Sequence, residues 1–580
     1  MGVQLTIKQR ANYIYDLYLL NQREFLILMK WSTPLIVSNL LNNVTYLFVN
    51  LIFVGRLSRE ELAAAALANT WTYCTNALGA GVTNAMDTLI SQSYGAGNNK
   101  LVSLTVQRAS VVATFTTIFI AVLWALTEKV LLAVQQDPEI SYLAFKYALY
   151  LLPGLWFSSI STVLQKYLQG QAIMWPSIIT GLVLNGFNAL FNYILIHGTG
   201  SFDGIGFVGS PLATSISRIM AFFLMLIIIK VFQLHKETWG GWSKEIFRWH
   251  GYKEYLKLGI PASIQHASEG WGFEILTILA GLIGAAELDA HSVVYNFTML
   301  TYQFPSAIGT AVSVRVGQLL GQGNERRAKA SAWVAFIISL FFMVAIAIVQ
   351  YTCRHVIGKI YTNDEGVIEI AATILPISAI FQIFDGGQTI FQGIVRGMGR
   401  VKVGALANFI AFYVISIPIG VILAFPVDVG VTGLWWGLCI GLVAIFIGLS
   451  FVIFKVDWVL EVSKAAIRTM STSSMSPPKF NEKGEMIEMD SISIIRNEDR
   501  HSLDSSISTS TSSQSEPKSI EISSGAGGMG TPTPAITITK DSSASTTEEV
   551  DPTAPKPSPS PNTRLNSKFR DSLPNKCNPQ

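Results

Sequence analysis

The feature that most constrains this chain is a series of twelve apolar segments, each about 20 residues long or longer. A helix of about 20 residues crosses the roughly 30 Å of hydrocarbon in a bilayer, so each segment predicts a membrane-spanning helix. Half of the 580 residues are hydrophobic and 14% are charged, which is typical of a polytopic membrane protein and not of a soluble enzyme. We number the segments spans 1 to 12; they lie near residues 33–54, 62–91, 106–127, 140–163, 176–197, 207–233, 255–283, 288–319, 331–351, 367–392, 402–424 and 430–454.

The distribution of Lys and Arg predicts the orientation, because short cytoplasmic loops carry an excess of basic residues. Such residues cluster between spans 6 and 7 and after spans 8 and 10, whereas the opposite loops hold few. We therefore expect both termini in the cytoplasm and a place in the plasma membrane, with a vacuolar or other internal membrane as the alternative. The basic residues are Lys230, Lys236, Lys244, Arg248, Lys253, Lys257, Arg326, Arg327, Lys329, Arg396, Arg400 and Lys402.

An internal repeat relates the first six spans to the last six. A shift of 224 to 227 residues aligns Pro34 with Pro261, YGAGN at 94–98 with LGQGN at 320–324, and GFVG at 206–209 with GVTG at 430–433. Each half has an even number of spans, so both halves begin on the same side of the membrane and the repeat is parallel. Such a repeat lets two lobes rock about a central cavity, although a purely structural duplication would give the same pattern.

The predicted fold is therefore all-α, with twelve transmembrane helices in two six-helix lobes and a disordered C-terminal tail. The tail is rich in Ser, Thr, Pro and Gly, which is typical of disorder. Phosphorylation, partner binding and an inert solvated segment are all open as its role. We assign residues 1–30 to a cytoplasmic N-terminus, 31–233 to the N-lobe, 234–254 to a cytoplasmic inter-lobe loop, 255–454 to the C-lobe and 455–580 to the cytoplasmic tail.

Three carboxylates fall inside predicted spans: Glu269 and Glu274 in span 7, and Asp385 in span 10. An acidic residue at the centre of a membrane helix costs about 2.5–3.5 kcal/mol, which indicates an ion or substrate site that faces a cavity. For span 7 the alternative is a helix whose edge reaches the interfacial zone. Burial disfavours the charged form of a carboxyl, so a proton and a cationic solute can compete for it. That competition is the simplest form of antiport.

Helical spacing places Asp385, Gln388 and Gln392 on one face of span 10. Glu269 and Glu274 are five residues apart and do not share a helical face, so we expect Glu269 at the main site and Glu274 toward the outer end.

We also expect these carboxylates to lack a basic partner. In neighbouring spans the sequence offers only Arg218 and Arg315, and both lie near a helix end. For His266 in span 7 we favour a packing role. Asp87, which precedes a loop, is expected to cap a helix or to form an ion pair. The sequence contains no nucleotide-binding motif and no metal-ligand cluster, so we expect no cofactor and an ion gradient as the energy source.

Other polar side chains in the spans can either line a substrate path or bridge neighbouring helices. The pattern leaves both alternatives open, since interhelical hydrogen bonds in membranes contribute only about 0.6 kcal/mol each. The candidates for lining a substrate path are Asn39 in span 1, Asn185 and Asn188 in span 5, Tyr295 and Asn296 in span 8, and Gln388 and Gln392 in span 10.

Four long motifs resemble the multidrug and toxic compound extrusion (MATE) family, and more closely its eukaryotic branch. They are MDTLISQSYGAGN after span 2, SEGWGFEILTILAGLIGAAELDAHSVVYN across spans 7 and 8, SVRVGQLLGQGN after span 8, and QGIVRGMGRVKVGALANFIAFYVISIPIG across spans 10 and 11. The resemblance covers about residues 25–455. It implies a two-lobed antiporter that expels organic cations in exchange for protons, or sodium, by alternating access. It also implies coupling roles for Glu269, Glu274 and Asp385, and it places Asn39 where animal members carry a polar amide.

Asn296 departs from the animal pattern, which has a further glutamate after the triplet that corresponds to VVY in span 8. The missing anionic group leaves neutral or anionic natural products open as substrates, as in plant members of the family. The resemblance implies small organic cations, protons or sodium, and the lipid bilayer as partners. The net charge of +3 is too small to indicate nucleic acid as a partner, and we expect a monomer. A related lipid flippase and a transport-inactive receptor are the alternatives from other classes.

Overall fold

The computed structural model describes residues 7–44, 58–200 and 203–470, and two short strands that follow them. Helical residues coincide with each of the twelve predicted spans, except that residues 45–54 of span 1 lie outside the described residues. The first half of the chain contains α1 (Ile7–Val44), α2 (Arg59–Thr83), α3 (Ala85–Gly95), α4 (Asn99–Ala125), α5 (Thr127–Ala133), α6 (Pro138–Gly170), α7 (Pro176–His197) and α8 (Gly209–Val231).

The second half continues the helical pattern, and short 3₁₀ turns lie at Gly206–Val208 and Lys244–Phe247. A π-helical segment, Ile410–Ser416, joins α14 to α15. The helices are α9 (Trp249–Ile283), α10 (Ala285–Gly321), α11 (Glu325–Thr352), α12 (Arg354–Tyr361), α13 (Glu365–Met398), α14 (Val401–Phe409), α15 (Ile417–Ala424), α16 (Val431–Phe454) and α17 (Trp458–Met470). The strands β1 (Lys479–Phe480) and β2 (Met486–Glu488) pair in antiparallel fashion.

Local sequence signals explain where several of these helices begin. Ser58 and Glu61 form a reciprocal capping box at the start of α2, each accepting a backbone N–H of the other. The Asp137 side chain caps α6, and Pro138 occupies the first turn, where its missing N–H costs nothing. Span 2 is divided at Asn84, which ends α2 and precedes α3.

The protein is a multi-pass membrane protein in which the most polar spans lie where the two lobes meet. Within the described residues, eight helices are long and apolar enough to cross a membrane: α4, α6, α7, the α8 helix with its preceding turn, α11, α13, α14 together with α15, and α16. The helices of the other four predicted spans, α1, α2, α9 and α10, are more polar. Among these four, α2 packs on α9 and α1 packs on α10, and each pair joins the N-lobe to the C-lobe.

Direct hydrogen bonds join the lobes at the end that we call the α3 end, formed by α3 and the last turns of α6, α10 and α13. The Gln92 amide donates to the Gly397 carbonyl over 2.9 Å, and the Gln318 amide donates to the Gly170 carbonyl over 2.8 Å. Thr88 donates to the carbonyl of Arg396. The accepting carbonyl groups lie at helix ends, where the last four carbonyls lack the N–H partner that the next helical turn would supply.

Two predicted boundaries differ from the structure. The predicted N-terminal segment 1–30 is helical from Ile7 onward, and its Glu24 and Leu28 side chains are completely buried. The prediction of a disordered tail from residue 455 is wrong for residues 458–470, which form α17. That helix is amphipathic and buries Trp458, Glu461 and Ala465, three residues spaced by three and four. Beyond Met470, apart from the two strands, the predicted tail lies outside the described residues.

Candidate substrate and ion site

Glu269 of α9 faces two neighbouring cavities in the middle of the protein. The smaller has a volume of about 50 Å³ and also contains Asp385 of α13 in its lining. The larger has a volume of about 260 Å³ and is lined by residues of both lobes, including Asn39 of α1. His266 and Tyr302 line both cavities together with Glu269. The two sequence-predicted carboxylates therefore meet at one cavity although 116 residues separate them in the chain.

Glycines allow α9 to approach its neighbours beside Glu269. A β-carbon at Gly272 would lie 2.6 Å from the Phe412 ring, so only glycine permits this packing without movement of the ring. A β-carbon at Gly270 would touch the Tyr73 ring at an ordinary distance of 3.5 Å. Glu269 is thereby held between α2 of the N-lobe and the C-lobe core, with its side chain half-buried.

Asp385 ends a chain of buried side-chain amides. Gln265 of α9 donates to Gln392 over 2.6 Å, Gln392 donates to Gln388, and Gln388 donates to the Asp385 carboxylate over 3.0 Å. Gln392 also donates to Asn408 of α14 over 2.7 Å. Gln265, Gln392 and Gln388 thus each direct one donor along the chain toward the carboxylate, and buried networks of this kind are rigid. The network fixes the position of Asp385 relative to α9 and α14.

Aromatic side chains form much of the wall of the smaller cavity. Tyr73 of α2, Phe273 of α9 and Tyr302 of α10 line it beside the two carboxylates. Tyr302 lies close to the Glu269 carboxylate and to the hydroxyl of Thr389. Carboxylates supply negative charge and aromatic faces attract cations, so this wall is chemically suited to a proton or to an organic cation.

Two basic residues reach the larger cavity, which corrects the expectation that the carboxylates lack basic neighbours. Lys166 of α6 and Arg396 of α13 line it together with Glu269. Both pair with the fully buried Asp87 carboxylate, Lys166 at 2.9 Å and Arg396 at 3.6 Å. The predicted spans 4 and 10 end before Lys166 and Arg396, which placed both residues in loops. In the structure α6 extends to Gly170 and α13 to Met398, so both residues lie near the ends of these helices and line the larger cavity. Asp87 accordingly forms an ion pair, one of its two predicted roles.

The residues predicted to line a substrate path do not all lie at the two cavities. Asn39 and Gln392 line the larger cavity, whereas Gln388 is completely buried in the amide chain. Asn185 donates to the carbonyls of Leu41 and Gly181, and so bridges α7 to α1.

The other candidates lie elsewhere in the helix packing. Asn188 donates to Thr214 of α8 over 3.3 Å. Tyr295 packs its ring on Phe273 at a centroid distance of 5.4 Å, and Asn296 is half-buried. Glu274 is half-buried beside Tyr73 and Cys74 of α2 and is not part of the lining of either cavity.

Sequence reasoning did not select several of the lining residues, among them Tyr73, Tyr302 and His266. Tyr73 and Tyr302 lie within predicted spans, where packing is the ordinary role of an aromatic residue. His266, for which we favoured packing, lies on both cavities, one turn before Glu269. The spacing of three between His266 and Glu269 places both side chains on one face of α9, and this was the available signal.

Comparison with known proteins identifies the family. The MatE family model matches residues 34–194 and again residues 261–422, together more than half of the chain. The chain belongs to the MatE family. Its two matches begin at Pro34 and Pro261, the same pair that the internal repeat aligns. The predicted family is thereby confirmed.

Relatives and solved structures agree with this assignment. The MatE protein described here is 36% identical to multidrug and toxin extrusion protein 1 of Xenopus tropicalis over 439 residues, which is 75% of each chain. It is 35% identical to the Homo sapiens protein of the same name over 423 residues, 72% of this chain and 73% of the human one. The crystal structure of the eukaryotic MATE transporter AtDTX14 matches it with a TM-score of 0.73 at 24% identity, covering 78% of this chain and 100% of that one. The predicted two-lobed helical fold is confirmed, and this MatE protein is a transporter, not an enzyme.

Proposed function

We propose that this MatE protein is a secondary active exporter that moves organic cations across the membrane in exchange for protons by alternating access. The observation that carries the proposal is the meeting of Glu269 and Asp385, from two different helices, on one aromatic-lined cavity. The names of the relatives, multidrug and toxin extrusion proteins, support an exporter.

The chemistry of the cavity explains how exchange would be coupled. An organic cation would be attracted by the two carboxylates and by the rings of Tyr73, Phe273 and Tyr302, each cation–π contact contributing about 0.5–2 kcal/mol. A proton that binds the same carboxylates cancels the charge that holds the cation. Because the two ligands neutralise the same groups, they exclude one another, and the bound proton releases the cation on the outer side.

The lobes would supply the alternating access. They are joined at the α3 end, which is the cytoplasmic end according to the Lys and Arg distribution, with both termini on that side. Opening of these contacts would connect the larger cavity to the cytoplasm. We place the protein in the plasma membrane as a monomer, with an internal membrane as the alternative.

Substrate exchange by carboxylate variants tests this function. Glu269→Gln and Asp385→Asn should each abolish the exchange of labelled tetraethylammonium in proteoliposomes while protein yield is unchanged. Glu139→Gln, which alters an exposed carboxylate at the start of α6, is the matched control and should retain full exchange. Unchanged exchange in both cavity variants would contradict the proposal.

A second candidate is export of neutral or anionic metabolites, or coupling to sodium, by the same fold. The observation that favours an anionic substrate is the presence of Lys166 and Arg396 in the larger cavity, together with Asn296 in place of a glutamate. An anionic substrate predicts that weak organic acids inhibit transport and that tetraethylammonium does not. Sodium coupling predicts exchange that a sodium gradient drives without a proton gradient.

A further inference from the structure

A third cavity, with a volume of about 620 Å³, lies at the α3 end and is strongly basic. Parts of α3, α4, the first turns of α9 and α17 line it, so it lies between the N-lobe and the C-lobe. Glu254 is the acidic residue in its lining. The basic residues in its lining are Arg108, Arg248, His250, Lys257, Lys464 and Arg468.

Among these residues Arg108 gives the strongest evidence for a bound ligand, because its side chain is buried and one of its hydrogen-bond donors lacks a partner among the described residues. Its side chain is 5% exposed, and its Nη2 donates to the Glu245 carbonyl over 3.2 Å. Its Nε is buried and has no hydrogen-bond partner among the residues that the structure describes. A buried donor left unpaired costs free energy unless a ligand or water satisfies it. A β-carbon at Gly251 would lie 2.1 Å from the Arg108 guanidinium carbon, so glycine there makes room for this group.

Acidic side chains nearby are occupied by other cations. Glu245 pairs with Lys100 at 2.7 Å, and this hydrogen bond lowers the pKa of the Glu245 carboxyl. Glu461, fully buried, pairs with Arg400 at 2.5 Å and with Lys464 at 2.8 Å. Glu254 is thus the acidic residue in the lining beside Arg108, Arg248 and Lys257, and the cavity carries an excess of positive charge that an anion can balance.

Exposed aromatic side chains lie close to Arg248 in the sequence. Trp242, Phe247 and Trp249, which flank Arg248 in the chain, are 75%, 83% and 70% exposed. Aromatic side chains with this degree of exposure are enriched at the headgroup level of bilayers, and basic residues beside them attract anionic lipids. A basic pocket between membrane helices at this level is suited to a phosphorylated headgroup.

We propose that this cavity binds the phosphate-bearing headgroup of an anionic membrane lipid. Arg108 of the N-lobe and Lys257 of the C-lobe would hold the phosphate from two sides, with Arg468 of α17 beside them. Because Arg108 belongs to α4 and Lys257 to α9, the bound lipid stabilises the arrangement in which the lobes are joined at the α3 end. This regulation is independent of what the carboxylate site transports.

Lipid binding to the purified full-length protein tests the proposal. The probe is a fluorescent short-chain phosphatidylinositol bisphosphate titrated into the protein in detergent, with phosphatidylcholine as the uncharged comparison. Lys257→Gln should weaken binding about tenfold, because it removes one charged donor to phosphate. Lys253→Gln is the matched control: this lysine is exposed on the same helix, one turn away, and is not part of the lining. Arg108→Gln should weaken binding further.

The outcomes separate the possible sources of the phosphate. Equal binding by the Lys253 and Lys257 variants would overturn the proposal, and because Lys257 is exposed, this comparison is valid even if Arg108→Gln fails to fold. Soluble inositol trisphosphate that binds as tightly as the lipid would assign the site to a soluble anion instead. Binding of a phosphorylated peptide from residues 505–515 (SSISTSTSSQS), with no binding of lipid, would assign it to the protein's own tail and overturn the lipid.

Discussion

Gly95 of α3 lies so close to Gln318 of α10 that a β-carbon at residue 95 would be 2.1 Å from the Gln318 carbonyl oxygen. Gly321 stands in the same relation to Gln92, with 2.2 Å between its β-carbon position and the Gln92 carbonyl oxygen. In both cases the neighbour is backbone and cannot rotate away. Small residues let membrane helices approach closely. The two lobes therefore meet backbone to backbone at the α3 end, and any larger residue must separate them.

Gly95→Ala should consequently prevent the lobes from closing at the α3 end. We expect exchange of organic cations to fall by about tenfold or more, since a clash with backbone costs roughly 1–3 kcal/mol. The measurement is initial-rate exchange in proteoliposomes with matched protein content. Gly186→Ala in α7 is the control because a β-carbon there meets nothing within 4 Å. Equal rates for the two variants would show that close approach at Gly95 is not needed for transport.

Asp87→Asn should destabilise the protein strongly, because it leaves Lys166 and Arg396 largely buried without an anion. Removing one partner of a buried ion pair costs about 3–5 kcal/mol. Thermal unfolding in detergent measures the loss. The double variant Asp87→Asn/Lys166→Met removes one of the uncompensated cations and should recover part of the stability. If the double variant is less stable than Asp87→Asn alone, the ion-pair explanation is wrong.

Glu24→Gln should detach α1 from the C-lobe at the α3 end. The Glu24 carboxylate accepts from Arg315 at 2.7 and 2.8 Å and from Arg327 at 2.8 and 3.0 Å, and it is fully buried. An amide cannot balance two guanidinium groups, so a loss of about 3–5 kcal/mol is expected. Thermal unfolding again provides the measurement. Glu60→Gln, at an exposed carboxylate of α2, should leave the unfolding temperature unchanged.

Gln392→Leu should interrupt the amide chain that positions Asp385. It removes the donor that Gln388 and Asn408 accept from and the acceptor that the Gln265 amide donates to, at a cost of about 1–3 kcal/mol for each buried polar atom left unsatisfied. We expect slower exchange with a folded protein, measured as the rate at saturating tetraethylammonium. Gln303→Leu is the control because Gln303 bonds only to the Met299 carbonyl in its own helix. A rate equal to that of the control would exclude a positioning role for the chain.

The fold was accessible from the sequence because bilayer thickness fixes the length of an apolar segment. The repeat was accessible because Pro34 and Pro261 retain their places in the two halves. The helix α17 was missed because it has 13 residues, too few to cross a membrane, and it directly precedes the Ser- and Thr-rich tail. Its apolar residues recur at helical spacing, but the contacts with α10 and α11 that bury them are not visible in the sequence.

Part of the site was also accessible. Glu269 and Asp385 stood out because a carboxylate in hydrocarbon is costly, and the structure brings both to one cavity. Lys166 and Arg396 could not be predicted, because the lengths of α6 and α13 determine whether these cations lie in a loop or inside. Tyr73 and Tyr302 gave only a weak signal, since tyrosine serves as an ordinary packing residue in most membrane helices.

The exchange of a proton for an organic cation at Glu269 is the central claim, and gradient-driven uptake tests it most directly. Purified protein in liposomes with an acidic interior should accumulate labelled tetraethylammonium against its gradient, and Glu269→Gln should not. An outwardly directed sodium gradient at equal pH on both sides should produce no accumulation. Accumulation driven by sodium alone, or proton-driven accumulation that persists in Glu269→Gln, would contradict the account.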